Sequence, residues 1–158
     1  MIEKSTKNIN ITIIILGFTT ISTQIILLRE FLSVFGGNEL IIGVILANWM
    51  LLTGLGSFIG RYSYKIKSKL RLIAILFIVL SVLPPVSDIL LHKLRIIFIP
   101  SGSITGIIQI FIISLALLLP FCIISGYAFT LFCEMLTENT GKNQTGMVYS
   151  YESAGSVA

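Results

Sequence analysis

The side chains with most chemistry to offer in this sequence are Glu30, Glu39, Asn48 and Glu152. Glu30 and Glu39 flank Gly36-Gly37, a pair suited to a tight turn between antiparallel helices because glycine takes a positive φ at little cost. Two carboxylates at one hairpin mouth offer anchors for a cation with several charges, such as a polyamine. Arg29 stands beside Glu30 and competes for the same carboxylates, so a solvated or salt-bridged mouth is the plainer reading of these residues. Asn48 interrupts an apolar run at mid-depth. In hydrocarbon its amide needs a partner, and an interhelical hydrogen bond worth about 1 kcal/mol makes it packing glue or a cavity-lining group. Glu152 falls in Tyr149-Ser-Tyr151-Glu152-Ser-Ala-Gly155-Ser, just inside the start of a helix, where a cavity carboxylate and an interfacial one read alike.

The remaining reactive types point to no further site. Cys122 and Cys133 are 11 residues apart, about 16 Å along one helix at 1.5 Å per residue, too far to bridge and with no metal-binding spacing. They read as buried free thiols. The one histidine, His92, neighbours Lys93 and Arg95 and is expected at an interface rather than on a metal. No glycine-rich loop joins a strand to a helix, so no nucleotide or other cofactor is implied. With a single histidine there is no Ser-His-Asp set, and no catalytic residue is assigned.

What must position these groups is a set of membrane helices. Apolar residues make up 55% and charged residues 11%, against about 25% charge in a typical soluble domain, and the mean hydropathy is +0.98. The charges are segregated. None occurs from Asn8 to Leu28 or from Leu40 to Gly60, and about 20 apolar helical residues cross a bilayer core. A third run covers Leu72 to Leu91, broken by Asp88; a fourth covers about Ile104 to Cys133, after Pro100-Ser-Gly-Ser. Backbone groups in lipid must pair within their own segment, and period-two alternation is absent, so an all-α bundle is expected. Its spans are about 9–28, 40–60, 72–91 and 104–133, with a fifth beginning about 147. The first run is too long for a secretory signal and lacks a cleavage site. The small residues Ser153, Ala154, Gly155, Ser156 and Ala158 suit a tightly packed helix start but make a poor terminus, and the chain is expected to continue into the rest of the fifth span.

Basic residues fix the expected orientation. With the N-terminus in the cytoplasm, the inner segments hold Lys4, Lys7, Arg61, Lys65, Lys67, Lys69, Arg71 and Lys142, and the outer ones Arg29, Lys93 and Arg95. The net charge of +4 is thus a topology signal, with lipid as partner and no nucleic acid. Span two is the expected packing centre, because Gly43 and Ala47, and Gly56 and Gly60, are each one turn apart and small residues let helix backbones approach. Pro84-Pro85 is expected to kink or end span three, followed by an amphipathic piece from Asp88 to Phe98 at the outer interface. Pro120 is expected to kink or tilt span four.

The blocks Gln24-x-x-Leu27-Leu28-Arg29-Glu30, Phe35-Gly-Gly-Asn38-Glu39-Leu40, Ala47-Asn48-Trp49 and Gly54-Leu-Gly-Ser57 resemble the membrane-embedded spermidine synthase-like proteins of bacteria. Leu119-Pro120-Phe121 with Gly126, and Tyr149-x-x-Glu152-x-x-Gly155-Ser156, extend the resemblance over about residues 15 to 158. It implies a bacterial inner-membrane protein whose membrane region precedes an aminopropyltransferase domain, serves as its anchor and gives a polyamine a path. That domain would carry the catalytic residues, so this chain alone is expected to be inactive. More loosely, Gly56-Ser-Phe-Ile-Gly60-Arg61 with the basic residues that follow is similar to the loop between helices two and three of the major facilitator superfamily, although the usual aspartate is missing. This second resemblance implies a six-helix half-bundle and, as the alternative function, half of a small-molecule transporter. A purely structural membrane module is the third reading.

Overall fold

A computed structural model describes residues 2–36, 39–65, 68–98, 106–140 and 144–157. Gly37, Asn38, Lys67, the Pro100-Ser-Gly-Ser break and Lys142 lie outside the described residues. The chain forms α1 (Ile2–Phe35), α2 (Glu39–Gly60), a short 3-10 turn (Arg61–Lys65), α3 (Lys69–Phe98), α4 (Ile107–Thr140) and α5 (Thr145–Val157). Among the described residues there is no strand. Four segments are helical, long and apolar enough to cross a membrane: Ile9–Phe35 in α1, Glu39–Ser63 over α2 and the start of the 3-10 turn, Lys69–Leu94 in α3 and Ile107–Glu138 in α4.

α1, α3 and α4 each run on past the charged residue that closes their apolar run. The backbone keeps its internal hydrogen bonds past the last apolar residue, and the flanking polar residues extend the helix towards water. At 1.5 Å per residue the 32-residue segment of α4 reaches about 48 Å, well beyond a hydrocarbon core of about 30 Å, so tilt or protrusion must take up the excess. α1 closes where Gly36 adopts φ 89° and its N–H donates to the Leu32 carbonyl at 3.1 Å, a glycine C-cap that other residues enter at a cost.

Pro84-Pro85 does not end span three. α3 runs through both prolines to Phe98, so the piece from Asp88 onward is a continuation of the spanning helix and not a separate surface segment. The prolines remove the donors that would serve the carbonyls of Leu80 and Ser81, a loss that membrane helices tolerate when neighbouring groups hold the backbone in place. Here the Ser87 hydroxyl donates to the Leu117 carbonyl of α4 at 3.4 Å. Pro120 likewise lies within a continuous α4.

The core lies between the helices and is apolar, with Phe31, Ile45, Leu80, Phe121, Phe132 and Leu136 almost wholly buried. Met50, Leu70, Ile78 and Ile108 are exposed on the outside. That inside-and-outside apolar character is what a helix facing both neighbours and lipid requires. At one end of the bundle the charges pair. Lys69 Nζ, at the start of α3, lies 3.2 Å from Glu134 and 2.6 Å from Glu138 of α4, and the Ser63 hydroxyl donates to the Glu134 carboxylate.

Candidate functional site: a carboxylate in a lateral cavity

The site is built on two close helix contacts. α2 and α4 run in the same direction, since Asn48 meets Ser114 at one end of the contact and Gly60 meets Thr130 at the other. Asn48 and Ser114 are both 0% exposed. The Asn48 amide N–H groups donate to the Ser114 hydroxyl at 2.8 Å and the Phe111 carbonyl at 3.0 Å, and Ser114 donates to Ile110. Further along, a Cβ on Gly56 would strike the Ile123 backbone, one on Gly126 the Thr53 carbonyl, and one on Gly60 would come within 2.8 Å of the Thr130 Cβ. Glycine is required on both sides because the two backbones touch.

α1 and α5 meet in the same way. A Cβ on Gly17 would strike the Glu152 carbonyl, and one on Gly155 the Ile14 carbonyl, while the Ser156 hydroxyl reaches the Gly17 carbonyl at 3.5 Å. This contact fixes α5 so that Tyr149 and Glu152 face the groove between α2 and α4. The result is an open-sided cavity of about 370 Å³ lined from α1, α2, α4 and α5.

The lining has a consistent chemical bias. Glu152 supplies the one carboxylate, half-buried, and Trp49, Phe129 and Tyr149 supply aromatic rings. Trp49 is braced by Phe121, with 5.5 Å between ring centroids. Four hydroxyl residues, Thr20, Thr53, Ser57 and Ser125, complete the polar part. Each spends its single O–H on a helix carbonyl: Thr20 on Leu16, Thr53 on Trp49, Ser57 on Gly126 and Ser125 on Cys122. What remains on each is lone pairs. The cavity thus offers acceptor oxygens, π faces and one carboxylate, the complement of an ammonium group, which has three donors and no acceptor.

The other residues singled out in the sequence are distributed elsewhere. Glu30 is brought to Asp88 and His92 of α3, while Glu39 is exposed in the first turn of α2. Gly43 and Ala47 are exposed, and a Cβ on Gly43 would meet nothing within 4 Å, so of the four small residues expected to pack on α2 only Gly56 and Gly60 face α4. The small-residue run that holds Gly155 packs tightly as expected, whereas sequence reasoning missed Gly17 and Gly126 as packing residues and Trp49 as a wall of the site. Gly126 and Gly155 stood within quoted motifs, but only the helix partners show what each glycine admits. Compared with protein-family models, with curated proteins and with solved structures, the chain finds no match in any of the three.

Proposed function

We propose that this chain is the membrane region of a spermidine synthase-like protein of the bacterial inner membrane, with its N-terminus in the cytoplasm, and that the Glu152 cavity is a subsite for a polyamine or a related organic cation. The observation that carries this reading is the lining of the cavity: one carboxylate, three aromatic rings, and four hydroxyls whose donors are already used. A carboxylate within a bundle of spanning helices is costly unless it serves a pathway or a ligand. An ammonium passing the cavity would find its charge matched by Glu152 and its donors matched by hydroxyl oxygens, with Trp49 and Tyr149 adding cation–π attraction. The eight-to-three distribution of basic residues supports the orientation. The chain's role would be to anchor an aminopropyltransferase domain and to pass the cation to or from it.

Calorimetry with spermidine on the purified chain in detergent tests the reading. Binding is expected in the wild type. Glu152→Gln is expected to weaken it by about tenfold or more, the scale of one charge-assisted contact worth about 1.5–3 kcal/mol. Glu39→Gln should leave it unchanged, and Tyr149→Leu, at an exposed ring of the lining, should weaken it with a matched melting temperature. A wild type that binds no spermidine would remove the polyamine reading.

A further inference from the structure

We propose that Glu30, Asp88 and His92 form a binding site for a divalent transition-metal ion, with Zn²⁺ as the best match. One ligand atom from each residue lies within 4.8 Å of the other two. Asp88 and His92 are four apart on α3 and therefore share one helix face, and Glu30 approaches them from α1. The imidazole Nδ1 stands 3.1 Å from the Asp88 carbonyl oxygen and 3.4 Å from its carboxylate, which sets the ring beside the carboxylate pair.

A second observation points to a cation here. The Asp88 side chain is 41% exposed, but its Oδ1 atom, 3.4 Å from His92 Nδ1, is itself shielded from solvent and accepts no hydrogen bond. With its lone pairs unused by hydrogen bonds, this oxygen is open to a cation approaching from the Glu30 side. Among the described residues, Lys69 is paired with Glu134 and Glu138 at the opposite end of α3, and no lysine or arginine pairs with Glu30 or Asp88. Two carboxylates and an imidazole nitrogen make a donor set suited to a divalent ion.

The donor set selects the metal. Imidazole nitrogen with carboxylate oxygen suits Zn²⁺ and its neighbours, whereas Mg²⁺ and Ca²⁺ prefer oxygen alone. Bond lengths of about 2.0–2.2 Å to zinc require the three side chains to close by a modest rotation around the ion. Three protein donors leave a fourth position for water. Such an ion would tie the end of α1 that carries the Gly36 turn to α3, independently of the Glu152 cavity.

The test is titration of the full chain, purified in detergent with a tag other than polyhistidine and stripped by a chelator. Calorimetry with ZnCl₂ is expected to show one ion per chain, and MgCl₂ no binding. His92→Ala and Glu30→Gln are each expected to weaken Zn²⁺ by about tenfold or more, a range that losses around metal sites reach. Glu152→Gln should leave Zn²⁺ binding unchanged, which separates this site from the organic-cation cavity. Should His92→Ala fail to fold, the near-isosteric Glu30→Gln decides alone. A wild type that takes up no Zn²⁺, or uptake unchanged in a folded His92→Ala or Glu30→Gln variant, overturns the proposal and leaves an ordinary histidine–carboxylate cluster.

Discussion

At the residue scale, the behaviour of each polar side chain follows from whether its donors and acceptors are matched. Asn48 uses its N–H groups on Ser114 and Phe111, while its Oδ1 is buried without a partner. The residue therefore gains two hydrogen bonds and bears one unsatisfied acceptor. Asn48→Leu is expected to lose about 1 kcal/mol or less of bundle stability, within the range of interhelical hydrogen bonds measured in membranes. Unfolding in mixed detergent micelles, followed by Trp49 fluorescence, would measure it; a loss well above 2 kcal/mol would mean that the amide holds more than the two contacts seen. The need for a partner at Asn48 was legible in the sequence, because a lone amide in an apolar run has few alternatives. The identity of that partner was not: Ser114 is 66 residues away and looks like any other small polar residue on α4. Glu30 teaches the same lesson. Its sequence neighbours pointed to Glu39 across the turn, whereas the fold brings it Asp88 and His92.

At the element scale, small residues work only in pairs of facing surfaces. Gly56 and Gly126 sit where α2 and α4 bring backbone to backbone, and Gly17 and Gly155 do the same for α1 and α5. In lipid no hydrophobic drive joins two apolar helices, so this close approach supplies the attraction. Gly56→Leu and Gly126→Leu are each expected to lower the melting temperature in detergent strongly, since the new side chain must push a backbone away, an overpacking cost of about 1–3 kcal/mol or more. Gly43→Leu, placed in open space, should change it little, as should Leu52→Ile. Comparable damage from Gly43→Leu would show that a further contact covers that face. The pattern of glycines one turn apart correctly drew attention to α2, but periodicity does not say which of two glycine faces meets a neighbour. Gly43-x-x-x-Ala47 and Gly56-x-x-x-Gly60 have the same spacing and opposite fates. α3 adds the reverse case. Two adjacent prolines argue locally for a break, yet the helix continues through them, because a spanning backbone that unwound would expose carbonyls to hydrocarbon.

At the scale of the whole molecule, the four long helices and the pairing of Lys69 with Glu134 and Glu138 define two unlike ends. Reporter fusions after Lys67 and after Arg95 are expected to read opposite sides of the membrane, with the first on the cytoplasmic side. Two fusions on the same side would contradict α3 as a spanning helix. The class of this protein is written in its composition: charge-free runs of 21 residues are long enough to cross a bilayer, and backbone chemistry in lipid leaves little choice but helix. The sequence also marked the residues unsuited to hydrocarbon, Asn48 and Glu152 among them, since a polar group stands out against an apolar background without any knowledge of neighbours. Which helices touch became visible in the packed bundle alone, and with it which glycines are indispensable, which aromatic rings stand around Glu152, and which acids lie beside His92. Those are relations between residues dozens of positions apart. The helices that carry them are all apolar on several faces, so hydropathy gives each helix many equivalent ways to turn, and the choice among them is made by the fit of one surface against another.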